Sequence, residues 1–293
     1  MDASLKEGHS PSMSRHSFHH AKPTACASAG EHLRRLRRQA ALSQLELSLL
    51  TGVSQRHLSC VETGRAKASP GTLHALLSAL DVPLEQCNDV FLAAGYAPRY
   101  LASAPDAPMM EMVNGAIHHI LHANNPAPAI VIASNWDITS ANVSAGLLFA
   151  MVGVPVQSHT GLNLLDTLLR HGGLGDHLIN ADEIRALAWQ RAAREASGNP
   201  DLARRLQDLP SPPELPLNTP PSPVVLTRVR FGEGELRFLS TFTTFGMPLD
   251  ITVESLRIEH LIPADPQTWE IMSKAYEQYL GAGVERAGRV MPG

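Results

Sequence analysis

The chain has too few cysteines for a disulfide framework. Its three, Cys26, Cys60 and Cys87, are widely separated and in no CxxC arrangement, which also excludes a cysteine zinc site. Long apolar runs are missing too, since none approaches the ~18 uncharged residues that a membrane-spanning helix requires. The first residues are polar and rich in histidine, without the apolar stretch of a secretory leader. A soluble protein of the cytoplasm, without a membrane partner, is the expectation. Catalytic signatures are equally scarce: there is no GxSxG, no HExxH and no P-loop. Gly232-Glu233-Gly234 lies between two strand-like runs, not between a strand and a helix, so it is no dinucleotide fingerprint. The reading is therefore of a protein that is not an enzyme and carries no cofactor.

What remains is ample for folding. The chain has 293 residues, 44% of them hydrophobic, which exceeds the roughly 100–200 residues of one ordinary domain and points to two. Charge is divided unevenly. Residues 1–99 hold 11 Lys or Arg against 8 Asp or Glu, whereas residues 100–293 hold 13 against 20. A slightly basic first part suits a polyanionic partner, and the acidic remainder does not.

Residues 1–29 are rich in Ser, His, Ala and Pro and show no apolar periodicity, the composition of a disordered tail. His16, His19 and His20 there read as solvated side chains and not as metal ligands. Residues 30–97 carry five short helical patterns. Leu33, Leu36 and Ala40 mark the first; Ser43 caps a second with Leu45, Leu47, Leu49 and Leu50; Ser54 caps a third with Leu58 and Val61. Gly52-Val53-Ser54 is a tight turn between the second and third, so the domain reads as a helix-turn-helix bundle. Residues 98–108, with three prolines, suit an interdomain linker.

From 109 to 280 the pattern mixes helices with five strand-like segments, at 129–133, 138–141, 224–231, 235–244 and 250–261. Seven prolines at 210–223 mark an irregular loop. This order predicts a PAS-like α+β domain, an antiparallel five-stranded sheet flanked by helices on one side. Residues 281–293 read as a flexible tail.

The stretch LRRLRRQAALSQLELSLLTGVSQRHLSCVETGRAKASPGTLHALLSALDV resembles the lambdoid-repressor or Cro type of helix-turn-helix, the xenobiotic-response-element family of bacterial regulators. The segments FLAAGYAPRY, PAIVIASNWDITSAN, GLNLLDTLL and TTFGMPLDITVESLRIEHLIPAD, in that order, resemble the ligand-binding domain of the MmyB-like transcription regulators. The resemblance implies a homodimer that binds a palindromic stretch of double-stranded DNA and senses a small apolar or fatty-acid-like ligand.

The third helix of such a motif presents its N-terminal residues to base edges. On this resemblance Gln55, Arg56 and Cys60 face the bases, and Ser54 and Ser59 belong to the same DNA-binding surface. Gln is suited to adenine and Arg to guanine through paired hydrogen bonds. Cys60 departs from the polar side chains usual there, and Gln44 and Arg65 match phosphate-contacting positions. Arg37 and Glu62 match a structural ion pair.

In the second domain Trp136, Asn142, Phe149 and His171 are candidates for pocket lining, an aromatic wall with a few polar groups. Trp136 as a hairpin staple and Asn142 as a helix cap are the bland alternatives. His118 and His122 share a helix face but lack a third ligand, so packing or surface exposure explains them better than a metal. Two rival functions stay open: a C-terminal domain used only for dimerisation or protein interaction, and an autoregulating lipid-ester hydrolase, against which the missing nucleophile motif counts.

Overall fold

The computed structural model describes residues 28–154, 161–211 and 223–288. The expected N-terminal tail up to residue 27, most of the proline-rich loop and the last five residues lie outside them, whereas residues 281–288, expected as part of a flexible tail, continue the last helix.

Five helices open the fold: α1 (Ala29–Gln39), α2 (Gln44–Thr51), α3 (Gln55–Glu62), α4 (Pro70–Ala79) and α5 (Leu84–Ala93). Four of their starts are written in serine. Ser28, Ser43, Ser54 and Ser69 each accept a hydrogen bond from the backbone N–H three residues on, satisfying one of the amides that a helix start leaves without a partner. Glu31 and Glu46 complete capping boxes by reaching back to Ser28 and Ser43. Gly52, at φ 70°, ends α2 in the left-handed conformation that a residue with a β-carbon resists. Leu33, Leu47, Leu58, Leu73, Leu76 and Phe91 meet in the core, each contributing about 2 kcal/mol by leaving water.

The leucines of α2 do not share one face. Leu45, Leu49 and Leu50 are 52%, 75% and 64% exposed, and only Leu47 of the four leucines enters the core. Leu45 and Leu49 lie two residues to either side of Leu47, which at about 100° per residue turns them away from the bundle.

The second part comprises α6 (Glu111–Asn124), β1 (Ala129–Ile132), β2 (Ile138–Ala141), α7 (Val143–Met151), α8 (Leu164–Leu169), α9 (Ala181–Glu195), α10 (Pro200–Gln207), β3 (Leu226–Phe231), β4 (Gly234–Thr244), α11 (Ile251–Ser255), β5 (Arg257–Pro263) and α12 (Pro266–Gly288). The strands form one antiparallel sheet in the order β2-β1-β5-β4-β3, a PAS-like arrangement. The last strand to appear in the chain thus occupies the centre. The strand expected over 250–261 is shorter than read. Asp250 accepts from Thr252 N at 2.9 Å and Val253 N at 3.3 Å, capping the helical turn α11, and pairing begins only at Arg257.

Helices cover both faces, not one. On the first, Ile130, Ile132 and Phe238 pack with Leu148, Phe149, Leu165 and Leu168 of α7 and α8. On the other, Ile117 and Leu121 of α6 cover Ala129, Val131 and Ile258. Alternation along β5 sends Ile258 to the α6 face and Arg257, Glu259 and Leu261 to the other. Phe242 of β4 is 42% exposed, with the Arg191 guanidinium 3.9 Å from its ring centroid.

The two parts are tied by more than a connecting chain. Asn88 of α5 accepts from Arg99 N and Tyr100 N at 2.8 and 3.0 Å and donates to Tyr100 O at 2.8 Å. Further along, Ser103 donates through N and Oγ to Asp250 at 3.1 and 2.7 Å, while Ile251 N donates to Leu101 O at 2.8 Å. The stretch expected as a linker is therefore pinned to α5 on one side and α11 on the other. Pro83 cannot cap α5 with its side chain; instead the Leu84 amide donates to Glu254 Oε2 of α11 at 2.8 Å.

Candidate DNA interface and ligand cavity

The helix-turn-helix is held by a buried polar knot. Glu62, at the end of α3 and 4% exposed, accepts from Arg37 Nε at 2.6 Å, Arg37 Nη2 at 2.9 Å and Gln44 Nε2 at 2.8 Å. Arg37 spends its remaining terminal nitrogen on Leu42 O at 2.7 Å. Burial pushes the Glu62 carboxyl up, but the hydrogen bonds from Arg37 and Gln44 and the Arg37 charge outweigh it and hold it below the ordinary range. The knot joins α1, the start of α2 and the end of α3, fixing the angle at which α3 is presented. Gly30 serves the same packing: a β-carbon there would lie 2.3 Å from Val61 O and 3.0 Å from Glu62 O. The first turn of α1 therefore runs directly against the carbonyls ending α3.

With Leu58, Val61 and Glu62 turned inward, α3 shows a polar outer face. Ser54, Gln55 and Arg56 are exposed at its start, and Ser59 and Cys60 follow one turn on, half-buried. Gln55 with Ser59, and Arg56 with Cys60, are four apart and stack along the helix. The Ser54 hydroxyl is engaged in capping, accepting from His57 N at 3.2 Å. Arg65 stands exposed just beyond Gly64. Gln44 gives one amide hydrogen to Glu62 and keeps the other for a further acceptor. Exposed Arg34, Arg35 and Arg38 add positive charge along α1.

In the second part, Ile130, Ala145, Leu148, Phe149, Leu164, Leu168, Leu174 and Ile184 enclose a cavity of about 70 Å³ between the sheet and α7, α8 and α9. That volume is small beside the roughly 300–1,000 Å³ of drug-sized sites. Thr227 and Glu259 are the polar side chains in its wall. A larger open groove of about 530 Å³ lies on the opposite face of the sheet, between α6 and α11, lined by Asn114, His118, Thr139 and Thr252 among others.

Of the four residues proposed for the pocket, Phe149 lines the cavity and the other three do not. Trp136, held at φ 67°, donates from Nε1 to Glu195 Oε2 at 2.7 Å, beneath the Arg257 guanidinium 4.7 Å from its ring. Asn142 caps α7 through Ala145 N at 2.9 Å, accepts from Ala129 N at 2.9 Å and donates to Ala127 O at 2.8 Å, so its amide is committed to the fold. The His171 side chain is 98% exposed. His118 and His122 are exposed, and among the described residues no group of three His, Cys, Asp or Glu is placed to hold a metal.

Sequence reasoning missed Glu259. The signal was there: in RIEHLIP the alternation places Glu259 on the side of Leu261, an acid facing inward from a central strand. Burial pushes its carboxyl up, against the pull of Ser240, Arg191 and Arg257.

Comparison with known proteins fits this division. A helix-turn-helix domain family matches residues 28–89, and the MmyB-like transcription regulator ligand binding domain matches residues 113–274. No curated protein matches the chain. Among solved structures it is similar to an RNA-binding Light-Oxygen-Voltage receptor at 12% identity and a TM-score of 0.26, over 88% of this chain and 65% of that one. The chain thus spans just under two thirds of that receptor, and a likeness at that score bears on neither fold nor function. Among the described residues no helix is long and apolar enough to cross a membrane.

Proposed function

The chain belongs to the family of the MmyB-like transcription regulator ligand binding domain, joined to a helix-turn-helix DNA-binding domain, and we propose that it is a homodimeric cytoplasmic regulator that reads a palindromic operator and responds to a small ligand. The observation that carries the reading is the exposed polar face of α3, with Gln55 and Arg56 at its start, held in place by the Arg37–Glu62–Gln44 knot. Gln55, Arg56, Ser59 and Cys60 contact base edges; Gln44 and Arg65 contact phosphates. Ser54 contributes mainly as the cap that orients α3. Two-fold symmetry would set half-sites one helical turn apart or a multiple of it.

The apolar cavity is where a small apolar or fatty-acid-like ligand sits, with Phe149 in its wall. Ligand regulates DNA binding only through different affinities for the conformations that bind DNA well and poorly. The pinned stretch 98–108 and the Glu254 cap on α5 give such a difference a path between the domains. Native mass spectrometry of the freshly purified protein tests both finer claims in one spectrum. A dimer carrying a releasable small mass is expected. A monomer at working concentration would refute the dimeric reading, and a bare dimer would favour a C-terminal domain that only dimerises.

A further inference from the structure

Glu259 is the charged side chain in the cavity wall. Ser240 Oγ donates to its Oε1 at 2.5 Å, and no described residue donates to Oε2. The side chain is half-buried, so Oε2 stays open to a partner supplied by a molecule in the cavity. The neighbouring charges are Arg191 on α9 and Arg257 on β5, both positive.

We propose that the cavity takes a small apolar molecule bearing a hydroxyl group, anchored by Glu259 Oε2. The proposal rests on the reading of this cavity as the ligand site and adds the chemistry of the ligand's polar end. With Ser240 donating to Oε1, the neutral acid carries its proton on Oε2 and donates from there; the ionised acid accepts there. A hydroxyl both donates and accepts, so it pairs with either form. An ammonium group pairs only with the ionised form, and the two guanidiniums nearby disfavour a further cation. A carboxylate pairs only with the protonated form. Burial pushes the Glu259 carboxyl up, and a hydroxyl is the group that pairs with the side chain in either state.

The test uses the full chain, with thermal unfolding followed by tryptophan fluorescence at several pH values from about 5.5 to 8.5. The probes are 1-butanol, butylamine and butyrate, short enough for a cavity of about 70 Å³. We expect 1-butanol to raise the unfolding midpoint by the same amount across the range. Glu259→Leu should weaken its apparent affinity about tenfold, the loss of one buried hydrogen bond, and Glu259→Gln, which keeps a donor and an acceptor, should restore it. The wild-type pH profiles decide the matter even if a variant fails to fold. Butylamine binding that tightens as pH rises, with 1-butanol inert, would overturn the proposal, as would butyrate binding that tightens as pH falls. Equal 1-butanol affinity in Glu259→Leu would also overturn it. No effect of any probe on the wild type would remove the cavity reading itself and the proposal with it.

Discussion

Glu62→Ala should strongly destabilise the DNA-binding part while leaving the rest of the chain unaffected. The substitution strips three charge-assisted hydrogen bonds from a site where Glu62 is 4% and Arg37 8% exposed. Arg37 would keep Leu42 O for one nitrogen, but Nε and Nη2 would be left without an acceptor. Breaking a buried pair in this way costs about 3–5 kcal/mol, set against about 5–15 kcal/mol for a whole domain. Trp136, Trp189 and Trp269 all lie in the C-terminal part, so tryptophan fluorescence follows that part alone while far-UV circular dichroism follows both. Urea unfolding of the variant should show a helical loss at low denaturant that precedes the fluorescence change. Arg37→Met combined with Glu62→Leu should recover much of the stability, since an apolar pair leaves no buried charge. A loss below about 1 kcal/mol for Glu62→Ala, the worth of an exposed ion pair, would refute the reasoning. The same knot sets an acid limit. Because the folded Glu62 carboxyl is held below its unfolded value of about 4.3, its contribution is complete above that value and is lost as pH falls through the folded one.

Arg56→Ala should weaken binding to the operator by about 1–3 kcal/mol and relax preference at one base pair, whereas Arg65→Ala should weaken all sequences alike and flatten the salt dependence; equal losses on operator and random DNA for both variants, measured by fluorescence anisotropy, would contradict these roles. Gly30→Ala sets two effects against each other. Helix propensity favours alanine by up to about 1 kcal/mol, but a β-carbon 2.3 Å from Val61 O forces a shift costing about 1–3 kcal/mol, so denaturation should show a net loss; a gain would mean that α1 and α3 are farther apart. Glu254→Ala removes the acceptor for Leu84 N, worth about 1 kcal/mol as a helix cap, and hydrogen exchange at the start of α5 should quicken several-fold. Unchanged exchange there would argue against a coupled junction.

Much of this fold was legible in local chemistry. The Ser43 and Ser54 caps, Gly52 and the leucine spacing marked the helix-turn-helix, because each signal acts within one turn of chain. Strand order was harder. That β5 enters between β1 and β4 depends on β1, more than a hundred residues away, and no local signal in the sequence supplies that order. Asp250 misled for a local reason: the segment alternates like a strand, yet its carboxylate offers the backbone a cap, and the cap prevails. For the site, the α3 face followed from helical geometry once Leu58 and Val61 were assigned inward. The pocket did not, since Trp136 and Asn142 look like lining residues until their hydrogen bonds are seen to be taken by Glu195 and by the backbone around α7. Nor does sequence reveal that Glu254 caps a helix in the other domain, a contact spanning 170 residues.

The central claim is sequence-specific DNA recognition by the α3 face, and its most direct test begins with selection of duplexes from a random pool by the full-length protein. Affinities for the selected and a scrambled duplex are then compared at one fixed physiological salt concentration. The account predicts a two-fold symmetric selected sequence bound about a thousandfold or more tighter than the scrambled one. Equal affinities, with the same dependence on salt, would contradict it.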